Sequence, residues 1–356
     1  MPKHPELGGI MARNSSALVN WSQYLPLRIA AGLLQCFSPG QNLHTAAGIG
    51  SLLYRTNRKR RERTHDNIHQ SFPEWDEAQV RDTAERSYQS MVQLAMVDAL
   101  IMTRLVTPDS WASYVQLKDV QPVLGALEDG KPLLMLTGHC GNWEMLAYTL
   151  SVIGFPITGL ARPLDNPLIN KWLLGIRQAH GLQVLTKWGA TGELQRSIER
   201  GRHLGFIADQ NAGDQGLFVP FFGRLASSYK SIGLLAMRYE TPIAIAQARR
   251  IGHQFKYEFI CRDVIQPADW ADQEDPLFYI TARYNHALEQ LIREAPEQYL
   301  WLHRRWKSRP RFEREGQPMP KAMIEKIAAL PWMTDQELGR IVDASNRSAA
   351  HTSSTG

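Results

Sequence analysis

The stretch LMLTGHCGNWEM, residues 134–145, leaves an apolar run and carries an imidazole at His139 and a carboxylate at Glu144, with Gly141 between them. Five positions do not align two side chains on one helix face, where neighbours are three or four apart. Across a strand–turn–helix junction, however, a carboxylate in the first helical turn can fold back to an imidazole at the strand end. Gly141 tolerates close backbone approach, and Asn142 suits the helix N-cap. That arrangement predicts a general base, His139, with Glu144 accepting its Nδ1–H, fixing the tautomer and stabilising the imidazolium. Direct attack by an acceptor hydroxyl on an activated acyl group then needs no enzyme nucleophile. The pair also has a purely structural explanation: a crevice histidine and a helix-start carboxylate favoured by the macrodipole. Cys140 is poorly placed as a nucleophile, because adjacent residues at a strand end point to opposite faces. A zinc site is disfavoured as well, since H-x₄-E lacks the helical histidine pair of H-E-x-x-H. Neither metal nor cofactor is expected.

Other residues stand at comparable positions. Arg162, in LARPLDNP, follows an apolar segment and offers a planar fork to a phosphate or carboxylate, or to Asp165. Asp209 and Gln210 end GFIADQ, and Asp209 is a candidate to orient Arg162 or a substrate group; a loop-entry carboxylate is its plainer alternative. Phe221, Phe222 and Gly223, in VPFFG, read from the residues as ordinary core. WLHRRWKSRPRFER, residues 301–314, concentrates Arg304, Arg305, Lys307, Arg309, Arg311 and Arg314 with Trp301 and Trp306. Such a patch suits an anionic headgroup or an acidic carrier protein; without a recognition motif, nucleic acid is a poor second.

These residues need a scaffold, and 356 residues with 44% hydrophobic and 21% charged side chains can bury a sizeable core. The net charge of +5 matters only where it clusters. Three separated cysteines give no disulfide framework and fit a reducing compartment. After Pro108, apolar runs at 132–138, 156–162, 182–186, 203–209, 242–250 and 255–264 alternate with helical patterns. The alternation predicts an α/β fold with a mostly parallel sheet flanked by helices, its function gathered at the strands' carboxyl ends. Residues 1–107 read as a helical, membrane-associating region, 108–316 as the catalytic α/β domain, and 317–356 as a helical and partly disordered tail.

The N-terminus lacks a signal-peptide core, and no window reaches about 18 uninterrupted apolar residues. Residues 17–37 instead carry Trp21 and Tyr24 among interrupted apolar positions, as in a helix lying on a membrane surface or packed on its own domain. Arg55, Arg58, Lys59, Arg60, Arg61 and Arg63 follow, a solvated face that can also attract anionic lipid.

HCGNWE, ARPLDNP, GFIADQN, VPFFG and WLHRRWKSRP, in that order, resemble the lipid A biosynthesis acyltransferases within the glycerolipid acyltransferase group, over roughly residues 42–310. The resemblance implies acyl transfer from acyl carrier protein or coenzyme A to a membrane-lipid hydroxyl at the cytoplasmic face of the inner membrane. It also implies a helix-flanked mixed sheet with an apolar acyl groove, walled in part by Phe221, Phe222 and Gly223, and a catalytic pair falling on His139 and Glu144. Asn142, Arg162, Asp209, Gln210, Phe222, Gly223 and Arg305 are the expected substrate contacts. The chain departs from the family in having Ser228 near a usual threonine and no clear N-terminal transmembrane helix. A non-catalytic lipid or carrier-protein binder and a thioester or ester hydrolase are the alternatives.

Overall fold

The computed structural model describes residues 17–128, 131–186 and 190–354. The expectation about a signal peptide falls on residues outside these. Helices α1 (Ala17–Leu34), α2 (Pro39–Thr56), α3 (Arg58–Ser71) and α4 (Glu77–Gln93) come first. Their starts are written locally. Ser38 and Gln41 form a capping box around Pro39, Asn57 caps α3, and Asp76 with Gln79 boxes α4.

A π-helical turn, Leu94–Asp98, joins α4 to α5 (Ala99–Leu105). This extra residue per turn rotates the buried face. Ala95 and Met96, which continue the sequence periodicity, are exposed, while Leu94, Val97 and Asp98 turn inward.

The sheet strands are β1 (Val115–Lys118), β2 (Leu134–Thr137), β3 (Ile157–Ala161), β4 (Gln183–Thr186) and β5 (His203–Ile207). Between them lie α6 (Gln121–Glu128), α7 (Trp143–Val152), α8 (Pro167–Gln178) and α9 (Ala190–Glu199). A separate antiparallel hairpin, β6 (Leu217–Phe221) and β7 (Arg224–Ser228), precedes α10 (Lys230–Tyr239). Then follow β8 (Ile243–Arg250), β9 (Tyr257–Ile265), α11 (Pro267–Ala271) and α12 (Pro276–Glu294). The chain closes with α13 (Arg311–Arg314), α14 (Lys321–Ala328) and α15 (Asp335–Ser354).

Seven strands form one sheet in the order β1-β9-β8-β2-β5-β3-β4. Every pairing is parallel except β8 with β9. The mixed, mostly parallel sheet flanked by helices is thus as expected. All six apolar runs are strands, whereas β1, the hairpin and the deeply buried α12 were not anticipated from the sequence. One core joins Tyr54 and Tyr88 of the N-terminal helices to Leu134 and Leu204 of the sheet and Ile327 and Ile341 near the C-terminus. The expected partly disordered end is helical to Ser354. Among the described residues, no helix is long and apolar enough to cross a membrane.

Candidate active site

Register brings His139 and Asp209 together. Thr137 of β2 lies opposite Ile207 of β5, so two residues farther on His139 and Asp209 meet at the same sheet edge. His139 Nδ1 donates to Asp209 Oδ1 at 2.7 Å, and the His139 backbone N–H donates to Asp209 Oδ2 at 2.9 Å. The carboxylate therefore holds both the ring and its backbone. Burial opposes charge on His139, yet Asp209 outweighs it and raises the imidazole pKa above its ordinary value. Burial likewise works against ionised Asp209, but the histidine's charge and hydrogen bonds keep its pKa low.

Asp209 fixes the tautomer. A carboxylate only accepts, so Nδ1 carries the proton and Nε2 of the neutral ring is the acceptor, with the Gln210 side-chain amide 3.2 Å away. The unprotonated Nε2 lines an apolar groove of about 580 Å³, with Leu146, Leu150, Phe155, Leu182 and Phe259 among its walls. Trp143 stands edge-on to the imidazole, ring centres 4.8 Å apart.

Glu144 does not reach His139. It sits in the first turn of α7 and receives a fork from Arg177 of α8, with Nε to Oε2 at 2.9 Å and Nη2 to Oε1 at 2.5 Å. The expected base–orienter contact is corrected accordingly: two guanidinium bonds hold Glu144, and the Nδ1 partner comes from the adjacent strand. Both members of the Glu144–Arg177 pair line the groove. Arg177 was missed because its signal is tertiary, a basic residue in the last turn of a helix packed beside α7.

Asn142 is a buried cap rather than a substrate contact. Its Oδ1 accepts from Met145 N–H at 2.9 Å and its Nδ2 donates to Asp98 at 2.8 Å. Asp98, turned inward by the π-helical segment, also pairs with Arg250. Gly141 has φ +59°, and a Cβ there would lie 2.2 Å from the Ala248 carbonyl oxygen. Its backbone N–H bonds Gln298 O at 2.9 Å, while Leu300 N–H bonds His139 O at 3.0 Å. The strand end is thus clamped between β8 and the segment before the basic C-terminal motif. Cys140 is buried and its thiol is pushed up to about 12 by desolvation, which leaves no reactive thiolate.

Arg305 was expected to meet substrate, but it is only 1% exposed. Its guanidinium donates to Ser228 Oγ at 2.7 Å, Asn285 Oδ1 at 2.9 Å, Ser227 O, and Gln210 O at 3.3 Å. It braces the Asp209–Gln210 turn from behind. Nor is the 304–314 run one basic face: Arg309 pairs with Glu313, Arg311 with Glu315 and Arg314 with Asp214. Phe222 and Gly223 are also corrected. They form the two-residue turn of the β6–β7 hairpin, with φ of 51° and 65°, and Phe222 packs on Phe72 and Trp301 away from the groove. Arg162 is exposed at the groove margin after β3. Among the described residues it has no carboxylate within ion-pair distance, so neither Asp165 nor Asp209 holds it.

Residues 11–308 match the family described as bacterial lipid A biosynthesis acyltransferase. The chain is 25% identical over 277 residues to the lipid A biosynthesis lauroyltransferase of Escherichia coli K12, covering 76% of this chain and 85% of that protein. It is 22% identical over 311 residues to lipid A biosynthesis acyltransferase 2 of Shigella flexneri, covering 86% and 96%. A Haemophilus influenzae lipid A biosynthesis acyltransferase matches at 21% over 248 residues, covering 69% and 75%. The chain belongs to the bacterial lipid A biosynthesis acyltransferase family. It is an acyltransferase, which sets aside the non-catalytic binding alternative.

Proposed function

We propose that this chain transfers a fatty acyl group from a carrier-protein or coenzyme A thioester to a hydroxyl of a lipid A precursor, with His139 as general base and Asp209 as its orienter. The observation that carries this reading is the Nδ1–Asp209 bond of 2.7 Å behind an unprotonated Nε2 that faces an apolar groove. The acceptor hydroxyl displaces the Gln210 amide from Nε2. As its oxygen bonds the thioester carbonyl carbon, its proton passes to Nε2, and the imidazolium is stabilised by Asp209. Collapse of the tetrahedral intermediate breaks the C–S bond, and the same proton goes to the departing thiolate. The groove takes the acyl chain. Arg177, held by Glu144 through Nε and Nη2, keeps Nη1 clear of that carboxylate for the developing oxyanion or an acceptor oxygen.

Arg162 at the groove margin is the proposed contact for an anionic acceptor headgroup. Membrane association of the N-terminal region is carried by α1. Its Asn20 and Gln23 accept from Asn166 at the start of α8, and Arg28 lies over Trp172. Leu18, Trp21, Leu25, Ile29 and Leu33 remain exposed at roughly helical spacing. An apolar stripe of this kind, on a helix tied down by its other face, suits the cytoplasmic surface of the inner membrane.

The test is His139→Ala, assayed with carrier-protein and coenzyme A thioesters against a lipid A precursor. Turnover is expected to fall roughly 10²–10⁴-fold with the fold retained. A folded His139→Ala protein with unchanged transfer rejects the mechanism, and thioester loss without acylated lipid would favour the hydrolase alternative.

A further inference from the structure

A second cavity lies apart from the groove and shares no lining residue with it. This cleft of about 770 Å³ opens between the end of α3, the β6–β7 turn and α15. Arg224, Arg309, Arg340 and Arg347 line it, opposed among the described lining residues by Asp343 alone. Arg309 is neutralised from behind by Glu313 at 2.6 Å. Arg340 and Arg347 have no carboxylate within ion-pair distance among the described residues, and the Arg340 guanidinium lies against Gly223.

Arg224 is the unusual member. It is 8% exposed, donates only to the neutral acceptors Gln70 Oε1 at 2.6 Å and Ser71 Oγ at 3.0 Å, and stacks 3.5 Å from the Trp306 ring centre. Its Nε and the indole Nε1 of Trp306 are both buried without acceptors among the described residues. Burial first, and then the neighbouring Arg309, bring its pKa down to about 9. A guanidinium does not readily surrender its proton, so it stays a buried cation in an unfavourable potential. A multiply charged anion in the cleft would relieve that potential, because low-dielectric walls focus the field of such charges. Guanidiniums supply donors and no acceptors, the chemistry that recognises phosphate oxygens. The volume exceeds what a lone ion requires and falls in the range of small-molecule sites.

We infer that the Arg224–Arg340–Arg347 cleft is a binding site for a phosphate ester or pyrophosphate group, separate from the acyl groove. The inference stands on this cleft's own charges and does not depend on the mechanism proposed for His139.

The experiment uses the full chain, wild type and Arg340→Gln/Arg347→Gln, whose changes sit on α15 outside the reacting groups. Thermal midpoints are measured against inorganic pyrophosphate at constant ionic strength, and flotation is measured on phosphatidic acid vesicles beside phosphatidylcholine vesicles. The wild type should show a saturable rise of about 2 °C at ten times the dissociation constant, and the double variant at least a tenfold weaker response. If the source is a lipid headgroup, the double variant also loses the excess of flotation on phosphatidic acid over phosphatidylcholine, and pyrophosphate abolishes that excess in the wild type. If it is a soluble phosphate, the midpoint shift is lost while flotation is unchanged. No saturable response in the wild type, or an equal response in the double variant, overturns the site.

Discussion

Asp209→Asn separates the orienting role of Asp209 from that of Glu144. The carboxylate meets two donors on one residue, the backbone N–H and ring Nδ1–H of His139. An asparagine has one acceptor and cannot satisfy both. If its oxygen faces the backbone N–H, its NH₂ faces the ring, Nδ1 must become the acceptor, and the proton moves to Nε2 where the base is needed. If its oxygen faces the ring, two donors oppose each other at the backbone. The charge is lost in either case. Two unit charges about 4 Å apart at an effective dielectric near 20 interact by about 4 kcal/mol, or about three decades in rate where that stabilisation is realised in the transition state.

Turnover of Asp209→Asn should therefore fall roughly 10³-fold. The pH profile provides a second readout. The base works as neutral imidazole, so wild-type activity falls as pH drops through a His139 pKa that Asp209 holds above the ordinary value. Removing the carboxylate leaves burial as the larger influence, and the acidic limb should move to lower pH. Single-turnover rates from pH 5 to 9 measure both effects. Glu144→Gln should leave that limb in place, because Glu144 bonds Arg177. Wild-type turnover in Asp209→Asn, or a displaced limb in Glu144→Gln instead, would refute the assignment.

Arg162→Lys keeps the charge but removes the fork, so acceptor use should weaken about tenfold while the donor saturation curve stays in place; a defect confined to the donor curve would move Arg162 to the thioester side. Leu25→Glu with Ile29→Glu, both in the exposed stripe of α1, should reduce vesicle sedimentation by tenfold or more. Unchanged sedimentation would remove α1 from the membrane contact. Gly141→Ala must accept φ +59° and a Cβ 2.2 Å from the Ala248 carbonyl oxygen. A loss of about 3 kcal/mol or more in denaturant unfolding is expected, and an unchanged midpoint would contradict the clamp at the strand end.

What could be read in the sequence was what short-range chemistry writes. The six apolar runs became strands, Asn142 caps α7, and Gly141 occupies a left-handed position that no side chain fits. The π-helical turn lies beyond that reach, because periodicity continues through Ala95 and Met96 while packing selects Leu94, Val97 and Asp98. The partner of His139 lies beyond it for another reason. Glu144 is five residues away and Asp209 is seventy, so spacing favours the nearer carboxylate. Parallel pairing of β2 with β5 instead gives the strand ends equal advance, and Asp209 follows Ile207 by the interval at which His139 follows Thr137. Strand order, once known, would have selected Asp209 directly. Arg305 shows the converse: a basic run suggests a surface, yet Ser227, Ser228, Asn285 and Gln210 supply oxygens to both Nη groups of one buried guanidinium, its Nε alone lacking an acceptor among the described residues. That buried arginine holds the carbonyl of the residue whose amide meets His139 Nε2. The C-terminal motif thus reaches His139 Nε2 through the protein interior, by fixing the Asp209–Gln210 turn.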